Sequence, residues 1–365
     1  MSKHNLPHPK PRAILMLVSC KIAGGLPALR VWLLLCLFLP IPAKGQSVYR
    51  EPAFRDNFYD VALRDQSSWI VGYYGTILYS GNRGLTWTIQ NGKTQQALFR
   101  VAFIDQNIGW VSGSYGIILH TRDSGTTWQK QETHTEEHLF GLHFLDARLG
   151  WAAGSGGVIL RTEDGGNTWV NSSVGEDIIL NDVHFLNSKQ GWAAGEFGRI
   201  YRTNDGGRSW IKQKSPIEVS FISGESRNLF RLLFPDARGG WAFGLDGVIL
   251  KTGNGERWDV HHPHGAAPES VLRHHLFSAA LFNGRTWAVG ERGTVLSAAL
   301  GEKLWKAAPL KISPVSLNGI AFGHDGLGLI VGNRGLILRT EDGGNQWEQL
   351  RIVPESPGKG VSQIP

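Results

Sequence analysis

Apolar and polar positions alternate in short runs along most of this chain, and the runs break at turn residues with a regular beat. One stretch shows the pattern: LFRVAFID (Leu98 to Asp105), GWVSGSY (Gly109 to Tyr115), GIILHTRD (Gly116 to Asp123) and TTWQKQE (Thr126 to Glu132). Alternation at period two over so few residues predicts strands, here named A, B, C and D. The same four-part phrase recurs on a marker of the form Gly-Trp-x-x-Gly. Strong copies stand at Gly109–Gly113, Gly150–Gly154, Gly191–Gly195 and Gly240–Gly244, and weaker ones end at Gly72, Gly290 and Gly332. The spacings are 41, 41, 41, 49, 46 and 42 residues, which makes seven units.

A four-stranded unit of about 40 residues repeated seven times predicts an all-β fold, a seven-bladed β-propeller of antiparallel blades. Each small sheet buries too little alone, so the blades must pack face to face around an axis. A linear solenoid competes, but seven units without polar capping repeats favour a closed ring. Tryptophan use agrees. Six open strand B (Trp69, Trp110, Trp151, Trp192, Trp241, Trp287), with Leu329 in the seventh unit. Seven more open strand D (Trp87, Trp128, Trp169, Trp210, Trp258, Trp305, Trp347). Outside the first 45 residues none is left over for a ligand platform, so these rings read as packing anchors between blades.

The C to D turn carries a second signature: SGNRGLTW from Ser80, TRDSGTTW from Thr121, TEDGGNTW from Thr162, TNDGGRSW from Thr203 and TEDGGNQW from Thr340. The short carboxylate or amide at the third position (Asn82, Asp123, Asp164, Asp205, Asp342) accepts backbone N–H groups of its own turn, and glycine supplies a positive φ. This is turn chemistry, and the spacing lacks the alternating oxygen ligands of a calcium loop. Blades five and six depart from it, with TGNGERW (Thr252 to Trp258) one residue short and SAALGEKLW (Ser297 to Trp305) without Asp. Those two turns are expected to be the least rigid. The longest D to A connections, roughly 214–228 and 261–273, precede blades five and six.

The Ser/Thr-x-Asp-x-Gly-x-x-Trp turn resembles the Asp box, or BNR repeat, of sialidases, sortilin-type receptors and the photosystem II assembly and stability factor family. Blades such as GWAAGEFGRIYRTNDGGRSW (Gly191 to Trp210) are very similar to the last of these, over nearly the whole repeat region. That resemblance implies a non-enzymatic propeller that helps newly made membrane proteins assemble on the lumenal or periplasmic side. Photosynthetic members have an arginine-rich patch, whereas the arginines here are scattered.

Charge has to be read without the first 45 residues. Val31 to Leu39 (VWLLLCLFL), flanked by Arg30 and by Pro40 and Ala43-Lys44-Gly45, has the length of a signal-peptide core and is too short to span a bilayer. Translation from Met16 would give a leader of ordinary length. LVSC (Leu17 to Cys20) resembles a lipoprotein acylation box, but cleavage there would leave the apolar run attached. The expected organisation is a signal peptide over 1–45, a propeller over 46–352 and a flexible tail over 353–365, in an exported protein of the periplasm, thylakoid lumen or exterior. The leader holds six Lys and Arg and no acid, so the remainder has 31 basic and 31 acidic residues. A net charge of zero removes the usual inference from basicity to nucleic acid. Both cysteines, Cys20 and Cys36, also lie in the leader, which excludes a thiol nucleophile, a disulfide or a thiolate metal site in the rest.

Turns alternate between the two faces of a propeller, so C to D and A to B turns share one face, and B to C and D to A turns the other. Ligands of propellers as a class usually sit on the latter. There each B to C turn reads Gly-x-x-Gly with variable inner residues, and ring closure places an aromatic arc (Tyr73, Tyr74, Tyr115, Phe197, with Glu196 beside the last) opposite a charged one (Asp246, Glu291, Arg292, Arg334). Tyr and Arg in this pattern point to a protein-docking surface, with a membrane or envelope protein as the partner and the propeller itself a monomer. Strand A lines the axis and carries Asp60, Arg100, Gly141, Asp182, Arg231 and Gly319, whose charges neutralise across the channel. The histidines of HHPH (His261, His262, His264), His274, His275, His134 and His138 lack a carboxylate at diagnostic spacing, so no metal or other cofactor is expected. The alternative function is a sialidase-like glycoside hydrolase or a carbohydrate-binding Asp-box propeller. Tyr73 and Tyr74 with Glu196 and Arg334 could fill the roles of nucleophile, partner and carboxylate clamp, but the seven regular units and the missing early Arg-Ile-Pro segment count against it.

Overall fold

A computed structural model describes residues 56–350, apart from 220–226, 237–238, 262–263, 266–268, 309 and 311. The expected leader 1–45 and tail 353–365, residues 220–226 of the connection 214–228, and His262 lie outside the described residues. Seven four-stranded antiparallel sheets follow one another along the chain, each made of consecutive strands. Blade two is typical, with strands Leu98–Phe103, Gly109–Gly113, Ile118–Thr121 and Gln129–Lys130. Blade six adds a fifth strand, His264–Gly265, paired in parallel with Leu304–Ala307. Each strand A packs against the next, and that of blade seven (Leu317–Phe322) against that of blade one (Phe58–Arg64), so the ring closes. Among the described residues closure exchanges no strand. It rests on Phe58, Val61 and Leu63 against Leu327, Leu329 and Val331, on Asn318 Nδ2 donating to Phe58 O at 2.7 Å, and on an Arg83–Asp325 ion pair.

One device joins successive blades. The strand B tryptophan of each early blade stacks on the last phenylalanine of the following strand A: Trp69 on Phe103 at 3.6 Å, Trp110 on Phe144 at 3.6 Å, Trp151 on Phe185 at 3.5 Å and Trp192 on Phe234 at 4.0 Å. The same indole Nε1 donates to a carbonyl in the next blade's Asp-box turn: Ser124, Gly165, Gly206 and Gly255, at 2.7–2.9 Å. The strand D tryptophan follows suit through its predecessor's strand D. Trp128 donates to Gln90 at 3.2 Å, Trp169 to Gln131 at 3.2 Å and Trp305 to His261 at 3.4 Å. Stacking adds about 1 kcal/mol beyond area burial and each hydrogen bond about 1 kcal/mol. The seam between blades six and seven is irregular. Phe282 stacks on Phe322 at 5.0 Å, Trp287 is tilted from Phe322 by 42°, and the buried Trp287 Nε1 has no acceptor.

Within the Asp-box turn the bonds are local. Thr162 Oγ1 donates to Asp164 Oδ1 at 2.8 Å and accepts Gly166 N at 2.8 Å, while Asp164 accepts Thr168 N at 2.9 Å and Thr168 Oγ1 at 2.7 Å. Desolvation opposes it, but the bonds from Thr168, Thr162 and Gly166 hold the Asp164 carboxyl below its usual range. In blade five, one residue short, Asn254 still accepts Glu256 N at 3.0 Å and Arg257 N at 3.1 Å, so the turn keeps its staple. Gly165 N bonds to Arg148 O of the A to B turn at 2.9 Å, which puts both turns on one face.

Charges meet along the axis. Asp60 Oδ2 accepts Val101 N at 3.0 Å and Asp182 Oδ2 accepts Leu232 N at 2.8 Å, each from the next blade's strand A. Arg100 lies 3.9 Å from Asp60 and 3.4 Å from Asp182, and Arg231 lies 3.9 Å from Asp182. Two residues further along strand A, the His143 and His184 rings sit 4.7 Å apart. Burial, then the neighbouring His184, brings His143 down to about 3, and burial, then Arg231, brings His184 down to about 4. His120, stacked on Trp110 at 4.8 Å, is lowered to about 4 by burial and Arg122.

Two expectations follow from these contacts. Asp164→Ala removes an acceptor of three donors and is expected to cost about 1–2 kcal/mol in urea denaturation; an unchanged midpoint contradicts the staple. The histidines set the acid limit. Unfolded imidazoles take up protons near about 6.5 whereas the folded ones wait until about 4 or below, so stability falls as pH drops through that window. The melting temperature, followed by tryptophan fluorescence, declines from about pH 6.5 to 4. Leu233 stands at the register of these two rings in blade five, so leucine suits the position. His143→Leu with His184→Leu makes the profile shallower; a wild-type profile flat over this range overturns the assignment.

Candidate functional site

On the opposite face the Gly-x-x-Gly of six blades forms a single 3-10 turn, such as Tyr73–Gly75, Glu196–Gly198 and Asn333–Gly335, and that of blade two is a turn closed by Ile117 N on Ser114 O at 3.2 Å. The second inner residue is left-handed in every blade, including Tyr74 (φ 54°), Tyr115 (52°), Phe197 (56°), Asp246 (53°), Arg292 (56°) and Arg334 (60°). Such a conformation costs about 1–2 kcal/mol for an L-residue, and the next blade holds it in place. The following glycine donates its N–H across the seam: Gly116 to Glu137 O at 2.8 Å, Gly157 to Ile178 O at 2.7 Å and Gly335 to Asp56 O at 2.9 Å. A Cβ on Gly116 would lie 1.9 Å from Thr135 O. These glycines therefore permit close approach of two blades, beyond the tight turn read from sequence.

The turns do not present both inner residues. Tyr115 (62 % exposed) and Tyr73 (46 %) stand out, and Asp246, Arg292 and Arg334 are exposed. Tyr74, Phe197, Glu196 and Glu291 are half-buried, and Ser114 is buried. Glu196 is engaged in holding its turn, for its Oε2 accepts Ile179 N at 2.8 Å. Phe197 packs against the core around Trp151 and Leu180.

Sequence reasoning missed a row of half-buried rings at the second residue of strand A: Tyr59, Phe99, Phe140, Phe230 and Phe277. In blades one to six this residue falls in a register shift, as between Leu98 and Arg100 or Leu276 and Ser278, so it escapes the inward–outward alternation. Three form a continuous path, Tyr59 to Phe99 at 5.8 Å and Phe99 to Phe140 at 4.9 Å. His138 links it to Tyr115, with centroids 4.9 Å apart. Burial, with smaller contributions from Tyr73 and Asp56, pushes the Tyr59 phenol up. Phe230 and Phe277 form a second pair at 5.4 Å. The two groups are separated by Asn181 and Asn318, whose side chains bond to Leu229 O and Phe58 O of the following blades. The signal was present in five blades as an aromatic residue ten or eleven positions before the strand B tryptophan, one residue ahead of the column whose charges draw the eye.

The histidines named from sequence separate into structural roles. His261 takes the Trp305 indole, His274 Nδ1 lies 2.6 Å from Thr294 Oγ1, and His138 and His275 accept turn amides through Nδ1: Tyr115 N at 3.2 Å and Asp246 N at 3.0 Å. Among the described residues no three His, Asp or Glu side chains are placed to hold a metal ion. A hollow of about 590 Å³ opens beside Tyr115, lined by Lys130, Gln131, Thr133, His134 and Glu136. A wider depression of about 700 Å³ lies on the Asp-box face at the irregular seam of blades six and seven, between Phe282, Phe322, His324 and Asp342. Rigid aromatic area with exposed Tyr, Asp and Arg around it is suited to recognition of a polypeptide.

Comparison with known proteins agrees with this architecture. The family described as Photosynthesis system II assembly factor YCF48 matches residues 51–133, 85–177, 174–253 and 274–364. No curated protein matches the chain in sequence. Among solved structures the chain is similar to "YCF48 bound to D1 peptide", with 20% identity, a TM-score of 0.62, and coverage of 78% of this chain and 91% of that one. YCF48 from Cyanidioschyzon merolae gives 18% identity, 0.62, 78% and 95%. An ancestral GH74 enzyme gives 13% identity and 0.63, covering 80% of this chain but only 46% of its own. These likenesses show the fold, while the four family matches together span the repeats: the chain belongs to the Photosynthesis system II assembly factor YCF48 family.

Proposed function

We propose that the protein is a non-enzymatic exported scaffold whose Gly-x-x-Gly face docks a segment of a membrane or envelope protein during assembly. The observation that carries this reading is the aromatic path from Tyr59 through Phe99, Phe140 and His138 to the exposed Tyr115. It lies on a frame whose other turn positions are committed to holding blades together. A relative is described as bound to the D1 peptide, which supports a polypeptide ligand. Exposed Asp246, Arg292 and Arg334 on the remaining blades supply polar contacts around it. The photosynthetic setting, the periplasmic or lumenal location and the monomeric state belong to the same proposal.

The glycoside-hydrolase alternative draws on the fold shared with the GH74 enzyme, and Glu196, its candidate partner for a tyrosine nucleophile, is engaged by the Ile179 amide. A photo-crosslinking residue at position 115 or 292, in the organism's own envelope, is expected to trap a membrane protein; the same probe at position 167 in the Asp-box turn is expected to trap little. Equal trapping at both places, or turnover of a fluorogenic glycoside that Tyr73→Phe abolishes, contradicts the proposal.

A further inference from the structure

The residue just before the first buried apolar residue of strand A receives an amide from the preceding blade's tip in three seams. Asn57 Oδ1 accepts Arg334 N at 3.1 Å, His138 Nδ1 accepts Tyr115 N at 3.2 Å and His275 Nδ1 accepts Asp246 N at 3.0 Å. The three acceptors are equivalent in place and differ in chemistry. An amide oxygen keeps its lone pairs at every pH, whereas Nδ1 accepts only while unprotonated, with the proton of the neutral ring on Nε2. The imidazolium donates from both nitrogens, which sets N–H against N–H at the tip.

We propose that the docking face is proton-gated: His138 and His275 hold the Tyr115 and Asp246 backbone amides at neutral pH and give up both amide bonds in mild acid, which repositions the two tips. This regulation acts on the face proposed above, and rests on that reading for its consequence though not for its chemistry. Both rings are open to solvent protons, His275 with 34 % of its side chain exposed and His138 half-buried. Each has somewhere to go once charged. Around His275 stand the Asp246 carboxylate, 3.6 Å from Nδ1, the Glu291 carboxylate, 3.9 Å from Nε2, and the Phe277 ring at 6.2 Å. Its chain neighbours are His274, held by Thr294, and Arg273. The charged ring trades the Asp246 amide for the two carboxylates. Around His138 stand the rings of Tyr115, Phe140 and Phe99, at 4.9, 6.1 and 6.4 Å. The adjoining Glu137 carboxylate accepts from Ser155 Oγ, which in turn accepts His138 N at 2.9 Å. A cation there is drawn to ring faces and to Glu137. Tyr115 is the most exposed of the large apolar and aromatic side chains in the described residues, so its repositioning disrupts the outer end of the aromatic path.

The test uses the mature protein by itself first. Amide resonances of Tyr115 and Asp246, followed by NMR from about pH 7.5 to 5, are expected to move with pH as each loses its Nδ1 acceptor, while Arg334, held by Asn57, stays flat. In the His138→Asn, His275→Asn variant, which copies the Asn57 arrangement, both titrations vanish. Flat wild-type resonances, or titrations that persist in the variant, overturn the gate. The photo-crosslinker at position 115 with membrane vesicles from the organism's own cells then reads the consequence. Trapping falls several-fold from about pH 7.5 to 5.5 in the wild type and is unchanged in the variant; equal trapping at both pH values in the wild type overturns regulation of docking. Titrating amides with no trapping at any pH instead refute the docking reading and leave the switch standing.

Discussion

A four-stranded sheet of this size cannot bury both its faces by itself, and the structure is organised around that constraint. Each blade borrows its neighbour: in blades one to four a tryptophan from strand B lies flat on the next blade's phenylalanine and places its Nε1 on a carbonyl of the next blade's C to D turn, as Trp110 does with Phe144 and Gly165. One side chain thereby removes apolar area from water, satisfies its own buried donor and fixes the angle between two sheets. On the far face the second glycine of each tip is pressed against the following connection, as Gly116 is against Glu137. The seams are thus fastened at both faces, with the charged layer of Asp60, Arg100, Asp182 and Arg231 between them.

Fastening of this kind separates residues that hold the ring from residues that can vary. The Asp-box threonine, aspartate and tryptophan belong to the first set, since every polar atom of Thr162 and Asp164 is spent within the turn or its flank. Tyr115, Arg292 and Arg334 belong to the second, because the left-handed backbone that presents them is enforced by neighbours rather than by their own side chains. Divergence concentrates where a seam is already irregular. Blade six has lost its Asp box, gained a fifth strand, and let Trp287 tilt away from Phe322.

The ring was legible in the sequence because its determinants are periodic: Gly-Trp-x-x-Gly sets strand B, the Asp box sets the C to D turn, and each tryptophan has one place to go. The tips were legible as variable positions, yet their exposure was not, since Glu196 looks like any surface carboxylate until its bond to Ile179 is seen. The aromatic row was hidden by the irregularity at Tyr59, Phe99, Phe140, Phe230 and Phe277, where alternation no longer tells inward from outward. His138 and His275 were hidden for another reason. Their partners, the amides of Tyr115 and Asp246, come from a different blade, and only packing brings them together.

Division of the molecule into a face whose turns only fasten the seams and a face whose tips also present variable side chains is the claim on which the functional reading depends. Hydrogen–deuterium exchange of the purified protein, with and without membrane vesicles from the organism's own cells, addresses it directly. Protection on binding is expected at the tips around Tyr73, Tyr115 and Arg292 and at the start of strand A in blades one to three, with the turns at Thr162–Trp169 and Thr340–Trp347 unchanged. Protection centred on those Asp-box turns, with the tips unaffected, would contradict it.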